Sequence, residues 1–138
     1  MILGRNAQRR IMTDMGILRT TIEVAAVDRP EVRTAIHDIM VDTGSEYSWL
    51  PAELLAELGI VPVRIDRFKT ADGRMMDRAV GFGMISTAGR TAPTVVGFGG
   101  PDDMVLLGAH ALEGLNLRVD LVLRELVPGG AHPAASAA

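Results

Sequence analysis

Ile39-Met40-Val41-Asp42-Thr43-Gly44-Ser45 decides how the rest of the chain is read. Three apolar residues run into a carboxylate, a β-branched hydroxyl and a glycine, the pattern of a buried strand that ends in a tight turn. At such a turn a carboxylate is half-buried and its ionisation answers to its surroundings. Taken alone, Asp42-Thr43-Gly44 also fits an ordinary surface turn. The apolar run before it and a second motif downstream favour a site of chemistry. That motif is Val105-Leu106-Leu107-Gly108, which opens into Ala109-His110-Ala111-Leu112-Glu113.

Val41-Asp42-Thr43-Gly44-Ser45 resembles the active-site loop of aspartic proteases. Leu106-Leu107-Gly108 with a helix after it resembles the element that retroviral-type members carry near their C-terminus. The resemblance runs from about Ile17 to Val127, in the family's order of strands, loop, hairpin, apolar-apolar-Gly, helix and last strands. It implies an all-β fold, a closed retropepsin-like acid-protease barrel with one or two short helices and one lobe per chain. It also implies roles for residues. Asp42 is catalytic, Thr43 braces two loops against each other, and Gly44 permits the turn and the approach of a peptide. Leu106, Leu107 and Gly108 pack beneath the loop and support its shape. Ser45 is expected to hydrogen-bond the carboxylate. Thr70-Ala71-Asp72-Gly73-Arg74 falls where the family has its flap, the hairpin that closes over bound peptide. Viral flap tips are glycine-rich, whereas this one is polar and closer to small bacterial relatives with a similar Ala-Asp-Gly.

A length of 138 residues suits one domain with a modest core. Apolar content of 48% and charged content of 22% describe a globular chain. The net charge of −3, with basic residues scattered rather than striped, argues against nucleic acid as a partner. The absence of cysteine excludes disulfides, thiolate metal sites and a cysteine nucleophile. The three histidines lack metal-ligand spacing, so neither metal nor cofactor is expected. No stretch is long and apolar enough to cross a membrane, and Met1 to Arg10 lacks the apolar region of a signal peptide. A cytoplasmic location is the default expectation.

Three parts are expected: a flexible N-terminal arm over 1–15, a protease domain over 16–127, and a disordered tail over 128–138. Ile22, Val24 and Ala26 alternate in a first strand, and Asp28-Arg29-Pro30-Glu31 forms the turn to a second strand that delivers Asp42. His37 and Asp38 on that strand face opposite sides, so solvent exposure is the simpler reading of His37. Tyr47 and Trp49, two of five aromatics, are expected to anchor the core or a dimer contact. Pro51 to Leu58 reads as a helix closed by Gly59. Asp72-Gly73 reads as a two-residue hairpin turn. Val80-Gly81-Phe82-Gly83 and Val96-Gly97-Phe98-Gly99 echo each other as paired strands, within a three-strand meander over about 76–98. Asp102-Asp103 reads as an exposed turn.

Aspartic-protease chemistry needs two facing carboxylates that share a proton. This chain has one Asp-Thr-Gly and is too short for two lobes, so a two-fold homodimer is expected, with two copies of Asp42 on its axis. The expected function is an aspartic endopeptidase acting on a peptide or protein substrate. The alternative is a silent dimer of the same fold that binds peptides or serves as an interaction module. A third reading, an unrelated small barrel, would leave Asp42 an ordinary turn residue.

Overall fold

Alternating apolar residues place Leu18, Ile22, Val24 and Ala26 on one buried face of β1 (Leu18–Ala26). β1 turns through Val27-Asp28 into the antiparallel β2 (Arg29–Val41), with Ala26 opposite Arg29. The turn is tighter than the expected Asp28–Glu31, because Arg29 and Pro30 already belong to β2. The chain is a computed structural model that describes residues 17–135; the arm expected over 1–15 lies outside them.

A bulge in β2 sets the phase of everything that follows. Thr20 pairs with Ile39 but Ile22 pairs with Ile36, so β2 carries one residue more than β1, and Asp38 adopts φ +59°. The extra residue lets Ile36 and Ile39, three apart, both pack on the core. His37 beside the bulge is exposed.

β7 (Leu106–Leu107) lies parallel to the end of β2, with Met40 opposite Leu106 and Val41 opposite Leu107. β3 (Ser48–Pro51) flanks β7 on its other side through Trp49 and Leu106, and runs parallel to β6 (Arg90–Gly99). The order is β1-β2-β7-β3-β6-β5-β4, where β4 is Arg64–Lys69 and β5 is Met75–Thr87. β1 also pairs with β5, which brings the sheet round into a ring and leaves β4 at its edge. The described residues are therefore mostly β, with two short helices among them.

The first helix, α1 (Ala52–Glu57), follows Pro51 and buries Leu55; Gly59 turns away at φ +81°. The second, α2 (Ala109–Leu115), buries Ala111, Leu112 and Leu115. Ile22, Leu50, Leu55, Ile85 and Leu107 are fully buried and bind β1, β3, α1, β5 and β7 into one core. Each such side chain contributes about 1.5–3 kcal/mol by leaving water.

The expected meander over 76–98 is two long strands instead. β5 runs unbroken to Thr87, and Ala88-Gly89, both at positive φ, make the turn into β6. Gly81 lies within β5 and lets the chain approach closely, facing Ile60 and the Val61 carbonyl. The two glycine-bearing segments do pair, with Gly81 opposite Val96 and Val80 opposite Gly97, and β4 supplies the third strand. β8 (Leu117–Asp120) and β9 (Glu125–Pro128) form a separate hairpin. Pro128, placed in the tail by the sequence, ends β9, and Asn116 hydrogen-bonds residues 129, 130 and 132 beyond it. Among the described residues no helix is long and apolar enough to cross a membrane.

Candidate active site

Asp42 stands where β2 ends. Its backbone N–H donates to the Leu107 carbonyl at 2.9 Å, so the two sequence motifs meet through the main chain. The Gly44 N–H donates to Asp42 Oδ1 at 2.9 Å, and the Ser45 N–H donates to the Asp42 carbonyl at 3.2 Å. Asp42 is half-buried, while Thr43 and Gly44 are exposed at the turn. The carboxylate is thereby held by a backbone donor in a closed turn rather than left to rotate freely.

Beneath this turn the start of α2 has no side-chain cap. Its orphan amides find the loop instead: Ala109 N–H donates to the Ser45 carbonyl at 2.7 Å and His110 N–H to the Glu46 carbonyl at 3.0 Å. The helix start and the loop are thus each other's hydrogen-bond partners. Gly108 makes this approach possible. A Cβ there would lie 2.7 Å from the Ser45 carbonyl oxygen and 2.6 Å from the Tyr47 carbonyl carbon. The Gly108 N–H donates to the fully buried Ser48 hydroxyl at 2.9 Å. Ser48 escaped the sequence reading because a serine inside an aromatic strand gives no periodic signal of its own.

Ser45 does not do what the sequence led us to expect. Its hydroxyl donates to the Tyr47 carbonyl at 2.8 Å, closing the loop's exit rather than contacting the carboxylate. Of the two places expected for Tyr47 and Trp49, the main core is not where they lie. Both are half-buried and outside the main core; they meet Phe68 of β4 edge-on, at centroid distances of 5.6 and 4.7 Å.

The β4–β5 hairpin ends in a connection over Thr70–Arg74, not in a two-residue Asp72-Gly73 turn. Gly73 N–H donates to the Thr70 carbonyl at 2.9 Å, so Ala71-Asp72 are the central pair and Gly73 follows at φ +89°. The Thr70 hydroxyl bonds Asp72, and the Arg74 amide and guanidinium reach the same carboxylate. Thr70 first, then Arg74, hold the Asp72 carboxyl below its usual range. Asp103, expected in an exposed turn, is half-buried and takes a two-pronged ion pair from Arg78 of β5 at 2.7 and 3.0 Å. It also accepts the Gly100 N–H at 2.7 Å, tying down the loop before β7. Among the described residues no group of three or more His, Asp or Glu converges as a metal site requires.

These features fall within a recognised pattern. A family model for aspartyl proteases matches residues 31–111, more than half of the chain, and the chain belongs to that family. The matched span takes in Asp42–Ser45, the hairpin tip at 70–74 and Leu106–Gly108. Among solved structures the chain is similar to the simian foamy virus (mac) protease, studied in solution, at 19% identity. That match covers 68% of this chain and 92% of that one, with a TM-score of 0.45. It is also similar to the crystal structure of a retropepsin-like aspartic protease from Rickettsia conorii, at 21% identity over 75% of this chain and 82% of that one, with a TM-score of 0.46. No curated protein matches.

Proposed function

We propose that the protein is an aspartic endopeptidase that acts as a homodimer, each copy supplying one Asp42. Hydrolysis without a covalent intermediate needs a base for the attacking water and an acid for the scissile carbonyl at the same moment. One carboxylate cannot be both. Two copies of Asp42 sharing a proton fill both roles: the ionised one takes a proton from water held between them, and the protonated one hydrogen-bonds the carbonyl. The roles exchange as the intermediate collapses. Thr43, exposed at the turn, braces the two loops across the axis, and Gly44 lets the peptide backbone come near. The hairpin tip Thr70–Arg74 is the flap, and Leu106, Leu107 and Gly108 are the support beneath each loop.

The observation that carries this reading is the main-chain lock of Asp42 onto Leu107 within an aspartyl protease family match. The partner is a second copy of this chain. Leu121, Val122 and Leu123, at the β8–β9 turn, are 54%, 92% and 60% exposed. Their turn is preorganised by Asp120, which accepts the Val122 and Leu123 amides at 2.9 Å. Arg124 beside them donates to the Ile17 carbonyl at 3.1 Å, and Leu18 pairs with Val41, the residue before Asp42. The apolar turn therefore lies at the same end of β1 and β2 as Asp42, where a second copy on the axis would cover it.

Cleavage of a peptide library tests the proposal. Cleavage should fall roughly a thousand-fold in Asp42→Asn and be blocked by a statine-type inhibitor. A well-folded dimer that cleaves nothing would leave a peptide-binding module of the same fold.

A further inference from the structure

We propose that Phe68 is a latch. Seated edge-on between Trp49 and Tyr47, its ring holds the tip end of β4, two residues before Thr70, on the segment that follows Asp42, and so sets how far the hairpin stands open to a peptide. The inference rests on the reading of that hairpin as a flap.

β4 is the edge strand of the sheet, so its ladder to β5 runs along one side alone. What else ties it to the body is a clasp made by alternate residues of one face. Arg64, Asp66 and Phe68 are spaced by two and all turn toward the stretch Tyr47–Trp49. Phe68 meets Trp49 at 4.7 Å with ring planes 75° apart, and Tyr47 at 5.6 Å and 76°, the edge-to-face geometry aromatic rings favour. The Tyr47 hydroxyl donates to Asp66 at 3.4 Å and accepts from Arg64 at 3.4 Å, while Arg64 grips Asp66 at 2.9 and 3.1 Å.

Both ends of the clasp are built in. Trp49 lies over Gly97, where a Cβ would stand 2.5 Å from two carbons of the indole ring. No other residue leaves that slot open. Tyr47 is held from behind by the Ser45 hydroxyl at 2.8 Å, and the Ser45 amide is bonded to the Asp42 carbonyl. A short chain of contacts therefore runs from Asp42 through Ser45 and Tyr47 to Phe68. The three rings are half-buried and none belongs to the main core. The clasp can open without breaking that core, which is what a latch needs and a core contact forbids.

Phe68 is thus a positioning residue. Trp49 is the sole tryptophan of the chain, so acrylamide quenching of its emission reads the clasp directly. Amide hydrogen exchange over 64–80 reads the hairpin. In full-length protein, Phe68→Ala should raise quenching and speed exchange over 64–80 by roughly ten-fold, a loss in keeping with two edge-on ring contacts. Exchange in β1 and β2 should stay as in the wild type. Phe68→Leu, which fills space without a ring edge, should follow Phe68→Ala, and Phe68→Tyr should restore both signals. That pair carries the test if the alanine variant folds poorly. The same changes are expected in an Asp42→Asn background, so the latch is judged whether or not the protein cleaves peptides. On a cleaved peptide, Phe68→Leu should raise KM several-fold with kcat nearly unchanged. The latch is refuted if Phe68→Leu behaves like Phe68→Tyr, if exchange rises equally in β1 and β2, or if KM does not move.

Discussion

The backbone N–H of Asp42 donates to the carbonyl of Leu107 at 2.9 Å, one rung beyond the pairing of Val41 with Leu107. The parallel ladder of β2 and β7 therefore extends to the turn residue itself. Asp42 inherits the rigidity of a strand whose neighbour, Leu107, is fully buried. A carboxylate held this way keeps its direction when the loop beyond it moves.

Gly108→Ala should displace the loop above it. The added Cβ meets main-chain atoms of Ser45 and Tyr47, which cannot step aside as a side chain would. We expect about 1–3 kcal/mol of destabilisation in urea unfolding. Peptide cleavage should fall further than stability does, measured where the variant remains folded.

Ser48→Ala leaves the buried Gly108 N–H without its acceptor. A buried donor left unpaired costs about 1–3 kcal/mol, so the unfolding midpoint in urea should drop accordingly with an unchanged m-value.

Ser45→Ala removes a hydroxyl that bonds the Tyr47 carbonyl and not the carboxylate of Asp42. The pH–rate profile of cleavage should therefore keep its shape and position while stability falls modestly. A displaced acidic limb would show that the hydroxyl reaches the carboxylate in the working enzyme.

Asp103→Asn tests the ion pair that joins β5 to the loop before β7. The Arg78 guanidinium holds the Asp103 carboxyl below its ordinary value of 3.8, and the Gly100 amide acts in the same direction. A carboxylate depressed on folding stabilises fully above its unfolded pKa and loses that contribution as pH falls through the folded one. The stability gap between wild type and Asp103→Asn should be widest near neutrality. It should close in acid, in a window below the ordinary carboxylate range, as followed by thermal unfolding at stepped pH.

Mixing wild type with Asp42→Asn asks whether two copies share one site. Random re-pairing of equal amounts leaves about a quarter of the dimers with two wild-type chains, against half before exchange. Peptide cleavage should drop about two-fold as subunits exchange. Activity that stays constant while the chains demonstrably re-pair would mean that each Asp42 works alone.

Much of the architecture was legible because local chemistry and tertiary packing agree. The alternation of Ile22, Val24 and Ala26, the proline-led helix ended by Gly59, and the apolar approach to Asp42 each carry their own signal. The misreadings share a cause. The segment over 76–98 resembles a three-strand meander in sequence, yet it holds two long strands, because β5 runs unbroken through Gly81 and Gly83 to Thr87. Asp103 resembles a solvated turn acid, yet its partner Arg78 lies on a distant strand. Tyr47 and Trp49 offered either a core or a dimer contact in sequence, and it is the core that they lie outside, because the ring they pack on belongs to the sheet's edge strand.

Residue types at short range thus determined a β-rich chain with an acidic turn at Asp42 approached by an apolar strand, and an apolar-apolar-Gly element downstream. What they could not determine is the angle from which each group is met. The bulge at Asp38 rephases β2 before it reaches Asp42, and the Ser45 hydroxyl turns to Tyr47 instead of the carboxylate. Ser48 becomes a buried acceptor because Gly108 arrives from the far end of the chain. Those choices depend on contacts between segments remote in sequence, whose free energies are won or lost only when the whole sheet has closed around its core.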